Sequence, residues 1–396
     1  MKRLFTNAKI ITPTGVTPGE VLVSEGKIEA IAYAGKITDS GAETIDLGGL
    51  YLSPGFIDIH THGAGNADFM DGDLDSIYQA CRAHMEHGTT SIVPTTLTSS
   101  KQSLFDFIDL FNQVELNQPG LPHIIGLHLE GPYFAASQKG AQDPKYLRNP
   151  DPEEYEEVLR RTDRIARWSF AIELDGANRF LHTLREHNIV SSLAHSDATC
   201  EEVERAYENG LAALTHFYSC MAGVKRVNAF RVAGAIEAGY LLDDLFVEVI
   251  ADGRHLPKEL LQLIYKIKGP DRICLVTDSM RAAGMPDGEY LLGSKQTGGI
   301  LAIVEDEIAK LPDRSAFAGS VATADRLVRT FWSLTGAPLH EVIKMISLTP
   351  AKLLHMDRTT GSIAEGKQAD LTVFDDSVDV KMTVVAGEIT YQKEKP

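Results

Sequence analysis

Asp58-Ile59-His60-Thr61-His62 is the sharpest chemical signal in the chain. On an extended strand, residues two apart point the same way, so His60 and His62 can present both imidazoles to one ion. The proline and glycine that open PGFIDIHTHG place the pair at a strand end. Three more ligand-type residues sit at the ends of apolar runs: Glu130 after IIGLHL, His195 in SSLAHSD and His216 in ALTHFY. Glu130 alone reads as a ligand or as a polar cap on the next loop, and His195 or His216 alone is more often a hydrogen-bonded structural histidine. Together they recur at one depth along their runs, which packing does not require. Such a set can hold one or two divalent ions with an open position.

Asp278 closes the last run, VTDSM. It reads either as an N-cap or as a carboxylate beside an activated water, taking its proton and later delivering it to a leaving group. A divalent ion brings a bound water to a pKa of about 7, so the set reads as metal-assisted hydrolysis. Imidazole and carboxylate ligands suit Zn, Fe, Mn, Co or Ni, with Zn the first expectation.

Positioning these groups is the task of the elements around them. Strand-like runs are GFIDIH (55–60), SIVPTT (91–96), HIIGLHLE (123–130), SFAIEL (169–174), IVSSLAH (189–195), AALTH (212–216), LFVEVIAD (245–252) and RICLVTD (272–278). Helical stretches separate them. SIYQACRAHMEHG ends on Gly88, and DPEEYEEVLRRTDRIARW opens with Asp151 as N-cap, Pro152 at the first helical position and Glu154 completing a capping box. His84, His87, His182 and His187 fall on such helices and read as surface or packing residues. Alternation of this kind predicts a (β/α)8 TIM-like barrel, although a doubly wound open sheet alternates too. Five of the eight runs end in His60, Glu130, His195, His216 or Asp278. Strand C-termini of a barrel converge on one mouth, which favours the barrel.

The ends of the chain behave differently. GEVLVSEGKIEAIAYAG near the start, with Ser24-Glu25-Gly26-Lys27 as a turn, has the alternation of a hairpin. DLTVFD and DVKMTVVAGEITYQ, with a turn at Gly387-Glu388, do the same near the finish. Residues 1–53 and 359–396 are therefore expected to pair into one small β-sandwich domain beside a catalytic barrel of 54–358.

Composition bounds the partners. The 396 residues carry 38 basic and 55 acidic side chains, a net charge of −17. That balance argues against nucleic acid or an anionic membrane as the main partner, both of which demand a basic face, and still allows a local basic pocket. No apolar run of bilayer-spanning length occurs, and MKRLFTNAKIITPTG lacks the apolar core of a signal peptide. Cys81, Cys200, Cys220 and Cys274 lie too far apart in sequence to suggest a disulfide framework or zinc knuckle. A cytoplasmic location is the expectation, with Cys274 acting as a small buried hydrophobe.

Longer stretches carry a resemblance. PGFIDIHTHG (54–63), GLHLEGPYF (126–134), KGAQ (139–142), AHSDA (194–198), THFYSCM (215–221), ADGRH (251–255), VTDSMRAAGMPDGEY (276–290), AGS (318–320) and GSIAEGKQADLTVFD (361–375) resemble the N-acetylglucosamine-6-phosphate deacetylases of the amidohydrolase superfamily. The resemblance implies a metal-dependent hydrolase that releases acetate and glucosamine-6-phosphate in amino-sugar catabolism. It implies that Glu130, His195 and His216 hold the main metal, that His60 and His62 serve a second with Glu130, and that Asp278 is the acid/base. Gln142 falls where some relatives carry a histidine that orients the acetamide carbonyl, a role it could fill only by hydrogen bonding. The backbone N–H groups of Ser219 and Cys220 are expected at the phosphate. Here the chain departs from the family: relatives read HLYNAM or HLFNAM and then REPG, against HFYSCM and VNAFRVAG. Asn228 aligns with the usual arginine, while Arg226 and Arg231 lie nearby, Arg226 being the candidate phosphate cation. His255 matches a position that reaches into a neighbouring subunit's site, which implies a homodimer. The altered phosphate region keeps N-acetylgalactosamine-6-phosphate, an unphosphorylated acetamido sugar and a non-catalytic sugar-phosphate sensor as alternatives.

Overall fold

The computed structural model describes residues 1–33, 37–39, 41–296 and 298–394. Residues 34 and 35, which end GEVLVSEGKIEAIAYAG, and the final residues 395 and 396 lie outside the described residues. Eight strands form a barrel: β1 Phe56–Thr61, β2 Thr89–Pro94, β3 Leu127–Glu130, β4 Ile165–Phe170, β5 Val190–Leu193, β6 Ala213–Leu214, β7 Phe246–Val249 and β8 Ile273–Leu275. Parallel ladders join β1 to β2 and run unbroken from β3 to β8. Between β2 and β3, Thr95 bridges His128 in the same parallel sense. The ring closes through the segment after β8: Asp278 N–H donates to the His60 carbonyl at 2.9 Å and His62 N–H to the Ser279 carbonyl at 2.8 Å. Every residue of β1, β2, β3 and β5 is buried. Strands of a parallel sheet are buried on both faces, and here polar side chains such as Asp58, Thr90, Ser91 and Ser192 are buried among the apolar ones.

Two expectations along the chain change. The run placed at 169–174 is instead β4 at Ile165–Phe170, and the preceding helix stops at Arg161. The end of DPEEYEEVLRRTDRIARW is strand rather than helix, and Arg167 within it is fully buried and ion-paired with Glu248 across the barrel, so its charge does not interrupt the strand. The capping box at Asp151 is also incomplete. Asp151 accepts from Glu153 N–H at 3.0 Å, but the Glu154 carboxylate takes Arg148 instead, at 2.7 Å.

The chain ends share one eight-stranded sheet, in which Leu371–Phe374 pairs antiparallel with Tyr51–Pro54. Its core, including Phe5, Ile10, Val21, Leu52, Leu371 and Val384, is separate from that of the barrel. This sheet seats β1: Gly55 N–H donates to the Asp370 carbonyl at 2.8 Å. A Cβ at Gly55 would lie 2.1 Å from Thr90 Oγ1, so only glycine permits this entry into β1. Two insertions edge the opposite, C-terminal side. An antiparallel hairpin, Lys225–Val227 with Phe230–Val232, follows β6, and a three-stranded sheet of Gly288–Leu292, Ile300–Glu305 and Ile308–Lys310 follows β8. Among the described residues, no helix is long and apolar enough to cross a membrane.

Candidate active site

The ligand-type residues sit where the barrel strands end. His60 lies within β1 and His62 just beyond it, Glu130 ends β3, and His195, His216 and Asp278 follow β5, β6 and β8. The last three share a left-handed backbone, with φ of 46°, 31° and 44°. Such conformations cost non-glycine residues roughly 1–3 kcal/mol each and persist only where surrounding structure imposes them. The imposed contacts are visible: Asp278 is gripped on both sides, donating to the His60 carbonyl and accepting from Ser320 N–H at 2.8 Å.

The side chains converge. His216 Nε2 is 3.1 Å from Glu130 Oε1, and His195 Nε2 is 3.5 Å from the same oxygen and 3.2 Å from His216 Nε2. His60 Nε2 lies 3.5 Å from Glu130 Oε1, while His62 Nε2 lies 3.4 Å from Oε2. Asp278 Oδ1 faces this second pair, 3.3 Å from His60 Nε2 and 3.2 Å from His62 Nε2. Two donor sets result, His60–His62–Glu130 and Glu130–His195–His216, sharing one carboxylate. Metal bonds of 2.0–2.1 Å put neighbouring donors of a tetrahedron about 3.3 Å apart, so the spacing suits divalent ions. His60 Nε2 is buried without a hydrogen-bond partner, as an imidazole nitrogen reserved for an ion would be.

The electrostatics point the same way. Burial opposes charge on Glu130, yet the imidazoles of His195 and His216 hold its carboxyl well below the usual range. Burial likewise opposes charge on His62, but Asp278 and Glu130 draw its pKa upward. A pair of buried carboxylates thus demands positive charge at this spot, which divalent ions provide. Beneath the ligands, Glu248 Oε2 lies 2.9 Å from His60 Nδ1 and accepts from His216 N–H at 3.3 Å. Despite complete burial, Arg167 and then His60 keep the Glu248 carboxyl below its ordinary value. His195 Nδ1 is 2.7 Å from the Gln138 carbonyl.

A cavity of about 220 Å³ opens over the cluster, and Gln142, Ser219, Cys220 and His255 line it with Leu97 and Phe317. Several expected contacts are rearranged. Gln142 lines the cavity with part of its amide already engaged. Its Nε2 donates to Glu130 Oε2 at 3.0 Å, and its Oε1 accepts from Thr98 N–H and Oγ1 at 3.0 and 2.6 Å. Ser219 N–H does not face a phosphate either, because it donates to the His216 carbonyl at 2.8 Å within the turn. His255 lines the cavity of its own chain, held by Asp252 Oδ2 at 2.8 Å and packed on Phe317. Arg226 lies on the exposed hairpin, outside the cavity lining. Cys220 packs closely under Gly140, where a Cβ would come within 2.6 Å of its sulfur.

Arg167, Glu248 and His128 were not among the expected site residues. His128, with Nε2 2.7 Å from Ser169 Oγ, is kept neutral by burial and sits edge-on to His60 at 4.7 Å. The available signal was a charged or imidazole side chain inside an apolar strand run, as in LHLE, FVEV and IARW.

Residues 51–390 match the model of the amidohydrolase family. The chain is 33% identical to the N-acetylglucosamine-6-phosphate deacetylase of Lysinibacillus sphaericus, over 94% of this chain and 93% of that protein. It is 29% identical to the N-acetylgalactosamine-6-phosphate deacetylase of Escherichia coli O157:H7, over 98% and 99%. The solved structure of a mutant N-acetyl-D-glucosamine-6-phosphate deacetylase from Mycobacterium smegmatis, in complex with N-acetyl-D-glucosamine-6-phosphate, superposes with a TM-score of 0.90. Its identity is 28%, covering 99% of this chain and 100% of that one.

Proposed function

This chain belongs to the amidohydrolase family, and we propose that it deacetylates N-acetylglucosamine-6-phosphate to glucosamine-6-phosphate and acetate in amino-sugar catabolism. The observation that carries the reading is one shared carboxylate, Glu130, bridging two imidazole pairs with Asp278 facing one of them, all under a single cavity. A structural role asks for no such convergence of buried charge. Residues 54–358 form the catalytic unit in this reading, with both chain ends as its β-domain.

Glu130, His195 and His216 would hold one divalent ion and His60, His62 and Glu130 a second, with Zn first among Zn, Fe, Mn, Co and Ni. A bound ion supplies Lewis acidity, polarising the acetamide carbonyl and making water acidic enough to attack near neutral pH. Asp278 accepts the water's proton as its oxygen joins the acetyl carbon. It then hands that proton to the nitrogen as the C–N bond breaks, releasing acetate and the amine. Gln142 steadies the shared carboxylate. Cys220 and His255 border the space for the sugar and its phosphate, with the Cys220 N–H rather than that of Ser219 as phosphate donor.

We also read the protein as a cytoplasmic homodimer. Unpaired Cys81, Cys200, Cys220 and Cys274 suit a reducing compartment. The dimer is supported by the hairpin after β6, where Phe230 is 76% exposed beside exposed Val224 and Val227. Acetate release from N-acetylglucosamine-6-phosphate, its galactosamine epimer and the unphosphorylated sugars tests the proposal. The highest kcat/KM is expected for the first. Preference for an unphosphorylated sugar defeats the substrate, and silence with every sugar and ion favours a sensor.

A further inference from the structure

We propose that Arg167 and Glu248 form a positioning pair that sets His60 for the ion shared by His60, His62 and Glu130; this rests on the two-ion reading above. Neither residue touches the cavity, and both are fully buried. The Arg167 guanidinium, from β4, contacts Glu248 Oε1 and donates from Nη1 to the Ile59 carbonyl at 3.1 Å. It therefore grips the backbone of β1 immediately before His60. Glu248, from β7, places its other oxygen 2.9 Å from His60 Nδ1. An ionised carboxylate only accepts, so the His60 proton stays on Nδ1 and the Nε2 lone pair points at the cluster. Nε2 has no hydrogen-bond partner there.

Each half of the centre has one imidazole held through Nδ1, His195 or His60, while the Nδ1 of the other histidine, His216 or His62, is buried without a partner; the two anchors differ in kind. His195 is oriented independently, by the Gln138 carbonyl, and His216 meets Glu248 only through its backbone N–H. In the other half, the His62 Nδ1 is buried without a partner, so His60 alone carries the orienting contact. Stability does not call for the pair: apolar residues of similar volume often replace a buried ion pair without loss. Holding a ligand's tautomer and ring plane does call for it, since partners beyond the ligand commonly change metal affinity ten- to a hundredfold.

The test titrates Co(II) into the metal-stripped full chain, reading equivalents by calorimetry and coordination by visible absorption. Two variants are compared with wild type: the neutral double replacement Arg167→Met with Glu248→Gln, and Glu248→Asp, which keeps the charge but shortens its reach. Two equivalents are expected for wild type. In both variants one ion should bind as before while the second weakens roughly tenfold to a hundredfold, with melting behaviour close to wild type. If the double replacement does not fold, Glu248→Asp decides alone. Two ions at wild-type affinity in the variants overturn the positioning role and leave the two-ion reading standing. Loss of both ions makes the pair merely structural. A single ion in wild type removes the two-ion reading and this inference with it.

Discussion

The floor of the cavity and the rim beyond β6 are built on opposite terms. On the floor, His60, Glu130, His195, His216 and Asp278 are all buried, and the bond from Asp278 N–H to the His60 carbonyl helps close the barrel. On the rim, Lys225, Arg226 and Val227 are exposed on a two-stranded hairpin with its own short ladder. A floor residue cannot move without disturbing the fold, whereas a rim residue can change freely. Chemistry is therefore invested in strand ends and discrimination among sugars in loops. The sequence departs from the deacetylases it resembles mainly toward the rim: the motifs carrying His60, His62, Glu130, His195, His216 and Asp278 are kept, and the altered residues lie between 219 and 231, of which Ser219 and Cys220 reach the cavity.

The strongest way to break this division is at the floor. Asp278→Asn should lower kcat by about a thousandfold, within the range general acid–base groups contribute, while metal content measured by elemental analysis stays near wild type. Activity within about tenfold, only ~1.4 kcal/mol of barrier, would remove the proton relay from Asp278. A boundary residue gives a smaller effect. Gly140→Ala puts a Cβ within 2.6 Å of Cys220 Sγ at a position with φ of 53°. It should cost about tenfold in kcat/KM, ~1.4 kcal/mol, and adding Cys220→Ala should restore most of it. No restoration would mean that backbone strain at Gly140, not contact with Cys220, controls the floor. The smallest effect belongs to the rim: Arg226→Ala should leave kcat within about twofold, under ~0.5 kcal/mol, and alter only KM. A collapse of kcat would erase the distinction between the two regions.

The same contrast explains what could be read in the sequence. Apolar runs ending in ligand-type residues signal both the barrel and its mouth, because burial and coordination each leave a one-dimensional mark. Contacts made across the barrel leave none. Arg167 follows a helix in sequence without a break signal, and its partner Glu248, 81 positions later, meets it only in the folded barrel. The partners of the Gln142 amide, Thr98 on Oε1 and Glu130 on Nε2, meet it only in three dimensions. His255 and Ser219 are similar: Asp252 holds the His255 Nδ1 and the His216 turn takes the Ser219 N–H, and both contacts depend on local backbone conformation rather than residue type.

The central claim is that buried carboxylates and imidazoles at the strand ends gather divalent ions to hydrolyse an acetamide. Its most direct test is acetate release from N-acetylglucosamine-6-phosphate by chelator-stripped protein reloaded stepwise with Zn(II) or Co(II). Turnover should vanish on stripping and return in proportion to the ion bound. Full activity in the stripped protein, or none at any loading, would contradict the account.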